Sequence, residues 1–297
     1  MMRNLERRDT GGDVVPASPA SFRAFWPLLR DSHLFRNRRD FLAFMGSHNG
    51  RIFLLSLHGH PASPFVLTGN WRCRCDISAL WYTRAWGEER RRLVLHACEA
   101  CLEEGAESFI TRPLCEEEAE EFSSWGFRTL ARVVVLEKEL CGRPEPPTWL
   151  RGVRLRRFRP GDLSRVLQVD AEAFDEFWSL DRRTLRNVAE SCHSNVFLVA
   201  AKGDETLGYA VGGVNGRLAY LQRLGVHPSE QGKGVGEMLS SGMLCAFRAL
   251  GAALVSVNTQ EDNQRALSLY HKLGFKETGD RRYIMCRDRR GGPRSAT

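Results

Sequence analysis

Residues 221–236 read LQRLGVHPSEQGKGVG, and the interpretation of the whole chain begins with this stretch. Its apolar first half is typical of a β-strand, and the His-Pro pair ends that strand because proline cannot donate a hydrogen bond to a sheet. Three glycines follow at alternate positions, Gly232, Gly234 and Gly236, and an apolar pattern of helical period begins directly after them. A strand that leads through a glycine-rich loop into a helix is typical of phosphate binding, since free backbone N–H groups and the helix dipole attract an anion.

Two common phosphate-binding motifs do not fit the spacing of these glycines. The P-loop motif G-x-x-x-x-G-K-[ST] requires a hydroxyl residue after its lysine, whereas Lys233 is followed by Gly234. The dinucleotide motif requires G-x-G-x-x-G, whereas the glycines here are spaced G-x-G-x-G. The stretch does match the pattern Q/R-x-x-G-x-G/A, with Gln231, Gly234 and Gly236 at the defined positions.

A second motif lies one predicted helix and one predicted strand after this loop. Residues 263–275 match N-x-x-A-x-x-L-Y-x-x-x-G-F. The two motifs in this order resemble those of the GCN5-related N-acetyltransferase (GNAT) superfamily, in which the first is the loop that binds the pyrophosphate of acyl-CoA. The second half also resembles ribosomal-protein alanine acetyltransferases. The resemblance covers residues 151–288 by motif and residues 20–140 by the order of elements only.

The two halves of the chain show a weak internal repeat. GAESFIT at 105–111 corresponds to GAALVSV at 251–257, and EEFSSWGF at 120–127 corresponds to LSLYHKLGF at 267–275. This repeat predicts a tandem duplication. The expected fold is therefore α/β (α+β), with two tandem GNAT-like domains, each a mixed, mostly antiparallel sheet flanked by helices. The resemblance implies a splayed strand pair that receives acyl-CoA. A tandem protein with a degenerate first half also resembles mycothiol synthase, although no pattern here indicates that substrate.

The predicted domain boundaries follow from composition and from this repeat. We expect a flexible N-terminal tail over 1–19, a degenerate GNAT-like domain over 20–140, a proline-rich linker over 141–150, a catalytic GNAT domain over 151–288 and a basic tail over 289–297. The sequence also predicts that each half ends in a pair of short strands.

The resemblance implies a cofactor site on the second half. Its residues are Leu224, Gly225, Val226, Gln231, Gly232, Lys233, Gly234, Val235, Gly236, Asn263 and Tyr270. The backbone of Leu224 and Val226 would bind the pantetheine arm as an added strand. The amides of 231–236 would hold the pyrophosphate. Lys233 either screens it or is solvated, and Asn263 caps the next helix, contacts the cofactor arm, or does both.

Tyr270 is the residue that we expect to take part in catalysis. The resemblance implies that it is the general acid that protonates the departing thiolate, and the alternative is a tyrosine of the apolar core. The corresponding residue of the first half, four positions before its glycine, is Phe122, which has no proton to donate. That half also has TRAWGEERRR where the pyrophosphate loop should be, so we expect it to be inactive.

The sequence does not identify the general base. The strand before the loop offers Tyr220 and Gln222 but neither Asp nor Glu. Carboxylates elsewhere that could approach the acceptor are Glu261, Asp262, Glu172, Asp175 and Glu176. An ordered water that leads to bulk solvent is an equal alternative.

Composition restricts the class of protein. A length of 297 residues, with 42% hydrophobic and 27% charged residues, is ordinary for two globular domains. No apolar stretch is long enough to span a membrane, and the N-terminus lacks the apolar segment of a signal peptide. Nine scattered cysteines indicate reduced thiols, so we expect a cytoplasmic protein with no membrane partner.

His96, Cys98 and Cys101 have metal-like spacing but fall on the core face of a predicted helix, and no metal is expected.

The formal net charge of +7 is unevenly distributed along the chain. Residues 1–150 contain 20 basic and 20 acidic residues, so 23 of 43 and 16 of 36 remain for residues 151–297. The half with the phosphate loop therefore carries the whole excess, which favours an acidic ligand such as coenzyme A. Its arginine clusters are interpreted as solvated faces, and nucleic acid is not expected as a partner.

The resulting hypothesis is an acyl-CoA-dependent N-acyltransferase that uses acetyl-CoA as co-substrate. An amine would attack the thioester directly in a ternary complex. The acceptor would be a small-molecule amine or a protein N-terminal amine, and the protein would be a monomer or a homodimer. The alternatives are a non-catalytic acyl-CoA sensor and a nucleic-acid-binding protein.

Overall fold

The computed structural model describes residues 13–32, 34–35, 37–55, 64–72, 74–142 and 149–289. The helices within them are α1 (Phe22–Leu29), α2 (Arg38–Ser47), α3 (Gly87–Glu103), α4 (Glu116–Ser124), α5 (Leu163–Ala173), α6 (Arg182–Ala189), α7 (Val235–Ala249) and α8 (Gln264–Lys272). The strands are β1 (Val14–Pro16), β2 (Arg51–Leu55), β3 (Phe65–Asn70), β4 (Ile77–Arg84), β5 (Ser108–Thr111), β6 (Arg128–Glu139), β7 (Arg154–Arg157), β8 (Ser194–Lys202), β9 (Glu205–Asn215), β10 (Leu218–Val226), β11 (Leu254–Gln260) and β12 (Lys276–Asp288).

The chain divides into two compact units. Unit 1 comprises Met1–Ala131 together with Tyr283–Thr297, and unit 2 comprises Arg132–Arg282. Unit 2 therefore begins inside β6, before the predicted linker at 141–150, and ends inside β12.

The predicted tails and linker lie partly outside the described residues, which exclude 1–12, 143–148 and 290–297. Residues 14–16, predicted to belong to the flexible tail, form β1 and pair with β2 in antiparallel register. Hydrogen bonding to β2 gives this segment a fixed conformation.

Unit 1 has the strand order β1-β2-β3-β4-β5, and the end of β12 follows β5. All of these pairs are antiparallel except β4 with β5. Alternate residues of β2 enter two different cores because successive side chains of a strand point to opposite faces. Ile52 packs with α1 and α2, whereas Phe53 packs with α3 and α4.

Unit 2 has the strand order β6-β11-β10-β9-β8-β7, with β10 and β11 parallel and the other pairs antiparallel. Helices cover both faces of this sheet. Ala210 lies in the core that contains α7 and α8, and its neighbours Tyr209 and Val211 lie in the core that contains α5 and α6. The mixed, largely antiparallel sheet flanked by helices agrees with the predicted fold class.

The ends of the two sequence halves differ from the prediction of short strand pairs. The stretch 128–139 is one continuous strand because its residues 133–139 pair with β11. The stretch 276–288 is also continuous, and its residues 286–288 pair with β5. Each half therefore supplies its last strand segment to the compact unit that the other half mainly builds.

Asp162 is the N-cap residue of α5, but its side chain makes no capping hydrogen bond to that helix. Its carboxylate accepts hydrogen bonds from the backbone N–H of Arg159 at 2.7 Å and from the Arg156 guanidinium at 2.7 and 2.8 Å. These bonds hold the pKa of Asp162 below its ordinary value, the bond from Arg156 most of all.

Other local predictions agree closely with the structure. β5 and β10 have the predicted bounds, and the predicted Asn215-Gly216 hairpin joins β9 to β10, with Gly216 at a φ of 61°. Among the described helices, none combines the length and apolar character needed to cross a membrane.

Candidate functional site

A wedge opens in unit 2 where β10 separates from β11. The two strands pair in parallel from Leu218↔Leu254 to Leu221↔Val257 and no further. β10 continues along β9 as far as Val226, with a bulge between Leu221 and Arg223. β11 continues along β6 as far as Gln260. Because a bulge bends its strand, the end of β10 turns away from β11 and leaves one backbone edge unpaired.

The glycine-rich loop closes one end of this wedge. A 3₁₀ turn, Pro228–Glu230, leads to Gln231, and Gly234 is the N-cap of α7. Gly232 and Gly234 have φ values of 77° and 88°, which L-residues with side chains rarely adopt. A Cβ atom on Gly232 would have no neighbour within 4 Å, so the loop leaves open space on that side.

The side chain of Gln231 anchors the loop. Its Nε2 donates to the carbonyl of Val226 at 3.1 Å, and its Oε1 accepts from Nη1 of Arg265 at 2.5 Å. Gln231 therefore joins the end of β10 to the first turn of α8.

Asn263 is the N-cap of α8, as predicted, and its Oδ1 accepts from the N–H of Ala266 at 3.1 Å. The N-termini of α7 and α8 both border a cavity of about 790 Å³. It is lined by Ala173, Phe174, Leu224, Val226, Pro228, Gln231, Gly232, Gly234, Gly236, Glu237, Asn263, Gln264, Arg265, Ala266, Ser268 and Leu269. Two helix N-termini and a glycine loop give one end of this cavity a preference for anions, and Leu224 and Phe174 make the other end apolar.

Most of the predicted cofactor residues line this cavity. They are Leu224, Val226, Gln231, Gly232, Gly234, Gly236 and Asn263. Gly225 lies against the ring of Tyr209, where a Cβ would come within 2.6 Å of an aromatic carbon. Lys233 pairs with Glu230 at 3.0 Å on the surface, and Val235 is buried in the core.

Tyr270 is buried beside the cavity and does not line it. Its ring packs on Phe275 with centroids 5.6 Å apart, and 5% of the residue is exposed. Among the described residues its hydroxyl group has no hydrogen-bond partner. Burial raises the pKa of Tyr270, so the hydroxyl keeps its proton at neutral pH, as a general acid must.

None of the five carboxylates considered as general base lines the cavity. Glu172 pairs with His227 at 2.7 Å, and Asp175 accepts from the N–H of Trp178 at 2.9 Å. Glu261 pairs with Arg281 at 3.2 Å. The structural partners of these three agree with surface roles, and the base is not assigned.

The sequence did not indicate several residues of the site. Phe174 and Arg265 line the cavity, and so does Glu237, which pairs with Lys272 at 2.6 Å. Arg265 occupies an unspecified position of the second motif. The sequence did contain a signal for Asp170, a buried group near Phe174. Asp170 lies one turn after Val166 on the apolar face of α5, and a buried carboxylate requires partners.

The metal-like spacing in unit 1 belongs to its core. Cys98 and Cys101 are buried among the apolar residues between α3 and the sheet, and His96 packs edge-on against Phe53. Burial raises the pKa of the Cys98 thiol to about 12. Within the described part of the chain, no three His, Cys, Asp or Glu side chains are grouped as a metal site requires.

Comparison with known proteins finds similarity to acetyltransferases. Residues 163–275 match the model of the acetyltransferase (GNAT) family. The matched residues all lie within unit 2. The chain is 31% identical to the mycothiol acetyltransferase of Actinosynnema mirum over 160 residues. This alignment covers 50% of the chain and 53% of that protein. The chain is 33% identical over 168 residues to that of Geodermatophilus obscurus, with coverages of 49% and 52%. The aligned part thus spans about half the length of these relatives.

Solved structures show the tandem GNAT fold across the whole chain. A tandem GNAT protein from the clavulanic acid biosynthesis pathway has a TM-score of 0.67 at 15% identity, covering 95% of this chain and 99% of that one. A GCN5-related N-acetyltransferase from Sphaerobacter thermophilus has a TM-score of 0.62 at 16% identity, with coverages of 96% and 98%. At these identities the likeness shows the fold, and it confirms two GNAT-like domains in one chain.

Proposed function

We propose that unit 2 binds acetyl-CoA and transfers its acetyl group to a primary amine. The observation that supports this most strongly is the cavity of about 790 Å³ between the free edge of β10, the glycine loop and the N-terminus of α8. Its volume suits an extended ligand of cofactor size. Its anion-attracting and apolar ends match a molecule with a phosphate-bearing end and a less polar arm.

Successive residues of the wedge could bind successive parts of such a ligand. The unpaired edge of β10 at Leu224 and Val226 can bind an amide-containing arm as an added strand. The amides around Gly232 and Gly234, with the N-terminus of α7, can hold a pyrophosphate. Asn263 and Arg265 border the cavity from α8.

The reaction we propose is direct attack of the amine nitrogen on the thioester carbonyl. A C–N bond forms, the C–S bond breaks, and Tyr270 donates its proton to the departing thiolate. The proton of the attacking nitrogen leaves through water, since Glu172, Asp175 and Glu261 are each paired elsewhere. No described cysteine lines the cavity, which favours direct transfer over an acyl-enzyme.

The names of the relatives suggest which acceptor to test first. Those relatives are mycothiol acetyltransferases, so the unacetylated precursor of mycothiol is the first candidate for this chain. Other small-molecule amines and the N-terminal amine of a peptide follow, as the family resemblance implies.

The test is a thiol-release screen of the full chain with acetyl-CoA and each amine. We expect coenzyme A to be released at a rate that depends on one class of amine, and mass spectrometry should find the acetylated amine. Binding of acetyl-CoA without turnover of any amine would indicate a sensor instead. Absence of binding to both coenzyme A and acetyl-CoA would refute the proposal.

A further inference from the structure

A fully buried carboxylate lies at the end of α5, close to the apolar end of the cavity. Asp170 has 0% exposure, and its Oδ1 accepts from the N–H of Leu180 at 2.5 Å. Its Oδ2 accepts from Nε of Arg223 at 2.8 Å and from the hydroxyl of Tyr209. Nη2 of Arg223 also donates to the carbonyl of Trp178 at 2.9 Å. The buried ion pair thus holds the segment 174–180 at two backbone positions.

The same arginine supports an aromatic ring of the cavity wall. The guanidinium carbon of Arg223 lies 3.4 Å from the ring centroid of Phe174. Phe174 lines the cavity together with Leu224 and Val226. Arg223 is placed under the ring by the bulge of β10, which ends at this residue. A planar cation stacked on a ring is attracted to its π face, and this attraction strengthens when water is excluded.

The order of residues along the wedge indicates which part of a ligand would meet this ring. The glycine loop follows Val226, so the phosphate end of an acyl-CoA would lie there. The arm would then run back along β10 toward Leu224. Leu221 pairs with β11, so the wedge closes behind Leu224. The thioester and its acyl group would therefore lie next to Phe174.

We propose that Phe174, held on Arg223, closes the acyl end of the cleft and limits the length of the acyl group that binds. This proposal rests on the proposed function of unit 2. Phe174 sets the specificity, and Arg223 and Asp170 are positioning residues that act through it. The ring is fixed by the stack below it and by the bonds from Arg223 and Asp170 to the following segment, so a longer acyl chain would have to displace an ordered wall.

The test measures binding, because it then needs no acceptor amine. Calorimetry gives the dissociation constants of acetyl-CoA and butyryl-CoA for the full chain. We expect the wild type to prefer acetyl-CoA. Phe174→Ala should shift the ratio of the two constants about tenfold toward butyryl-CoA, the effect expected when a pocket gains room for a few methylenes.

Three further variants test whether the ring of Phe174 and the arginine stacked on it are responsible. Phe177→Ala is the matched control, because Phe177 belongs to the same segment and packs on Trp178 without lining the cavity. It should leave the ratio unchanged. Arg223→Lys keeps a positive charge but loses the planar stack, so it should shift the ratio in the direction of Phe174→Ala, by less. Phe174→Leu serves if the alanine variant does not fold, and it should shift the ratio in the same direction.

An unchanged ratio in the folded Phe174 variant would overturn the proposal, as would an equal shift in Phe177→Ala. Failure of the proposed function would look different. In that case the wild type would bind neither coenzyme A nor either ester, and no ratio could be measured.

Discussion

The two units share a strand arrangement but differ in what fills the wedge beside it. In unit 1, β4 pairs with β5 over the four residues Ile77–Leu80 and then continues along β3 to Arg84. In unit 2, β10 pairs with β11 over the four residues Leu218–Leu221 and continues to Val226. Both units therefore have a backbone that can open a cleft.

Three side chains occupy the corresponding place in unit 1. Counted back from the glycines that follow the helices, Arg90 corresponds to Gly236, Glu118 to Ala266 and Glu121 to Leu269. Gly236, Ala266 and Leu269 line the cavity of unit 2. Arg90 binds Glu118 at 2.8 Å and Glu121 at 2.9 Å, and its guanidinium lies over the ring of Phe122.

The two units therefore keep one strand order but place different side chains beside it. Where unit 2 has small or apolar residues that border its cavity, unit 1 has charged residues that bind one another. Phe122 stands at the position that Tyr270 has in unit 2. The strand order alone does not show which unit has a ligand cleft.

The largest effect is expected from a glutamate at the N-terminus of α7. Gly234→Glu should weaken acetyl-CoA binding about 1,000-fold, because it forces a strained φ and puts an unpaired carboxylate where a pyrophosphate should bind. Gly87→Glu, at the start of α3 with a φ of 53°, is the matched control and should leave affinity unchanged. Calorimetry measures both, and equal losses would break the comparison.

The buried ion pair of unit 2 should contribute more stability than the ion pairs of unit 1. Asp170→Asn should lower the free energy of unfolding by about 3 kcal/mol, because it leaves the buried Arg223 without its counter-charge. Glu121→Gln should cost less, since Glu121 is one-third exposed. Denaturant unfolding measures both, and a larger loss for Glu121→Gln would contradict the assignment.

We predict that the units differ in catalysis through one hydroxyl group, that of Tyr270. Tyr270→Phe should lower turnover about 100-fold with nearly unchanged acetyl-CoA affinity, as expected when a general acid is removed. Phe122→Tyr, the reciprocal change in unit 1, should have no effect on turnover. Steady-state kinetics with the acceptor found by the screen tests both. Unchanged turnover in Tyr270→Phe would remove this residue from the acid role.

The smallest predicted effect concerns the pH dependence of the ion pairs in unit 1. Burial would raise the pKa of Glu118, but the charges of Arg112 and Arg90 outweigh it and hold the pKa below its ordinary value. A lowered pKa in the folded state gives stability above the unfolded pKa, and that stability is lost as pH falls through the folded pKa. Glu118→Gln should therefore cost about 1 kcal/mol at neutral pH and almost nothing at strongly acidic pH. Glu120→Gln, an exposed change on the same helix, should be neutral throughout.

The sequence predicted the parts of the structure that depend on local patterns. β10 has the predicted bounds because alternating apolar residues, a hairpin turn and a proline define both of its ends. Seven of the residues predicted for the cofactor site line the cavity, and four of them, Gln231, Gly234, Gly236 and Asn263, are defined positions of the two motifs.

Long-range pairing could not be predicted in the same way. The apolar pattern of 132–139 is the same whether the strand pairs within its own half or with β11. The bond from Asp170 to Arg223 joins residues 53 positions apart. In the sequence, Arg90 and Glu118 look like ordinary solvated charges on helices. Only the structure reveals that they are paired, at positions equivalent to two that line the cavity of unit 2.

The central claim is that one of two similar wedges binds the cofactor. Titration of the full chain with acetyl-CoA in a calorimeter tests it most directly, because the stoichiometry counts the working clefts. We predict one binding site per chain. Two sites per chain, or none, would contradict this account.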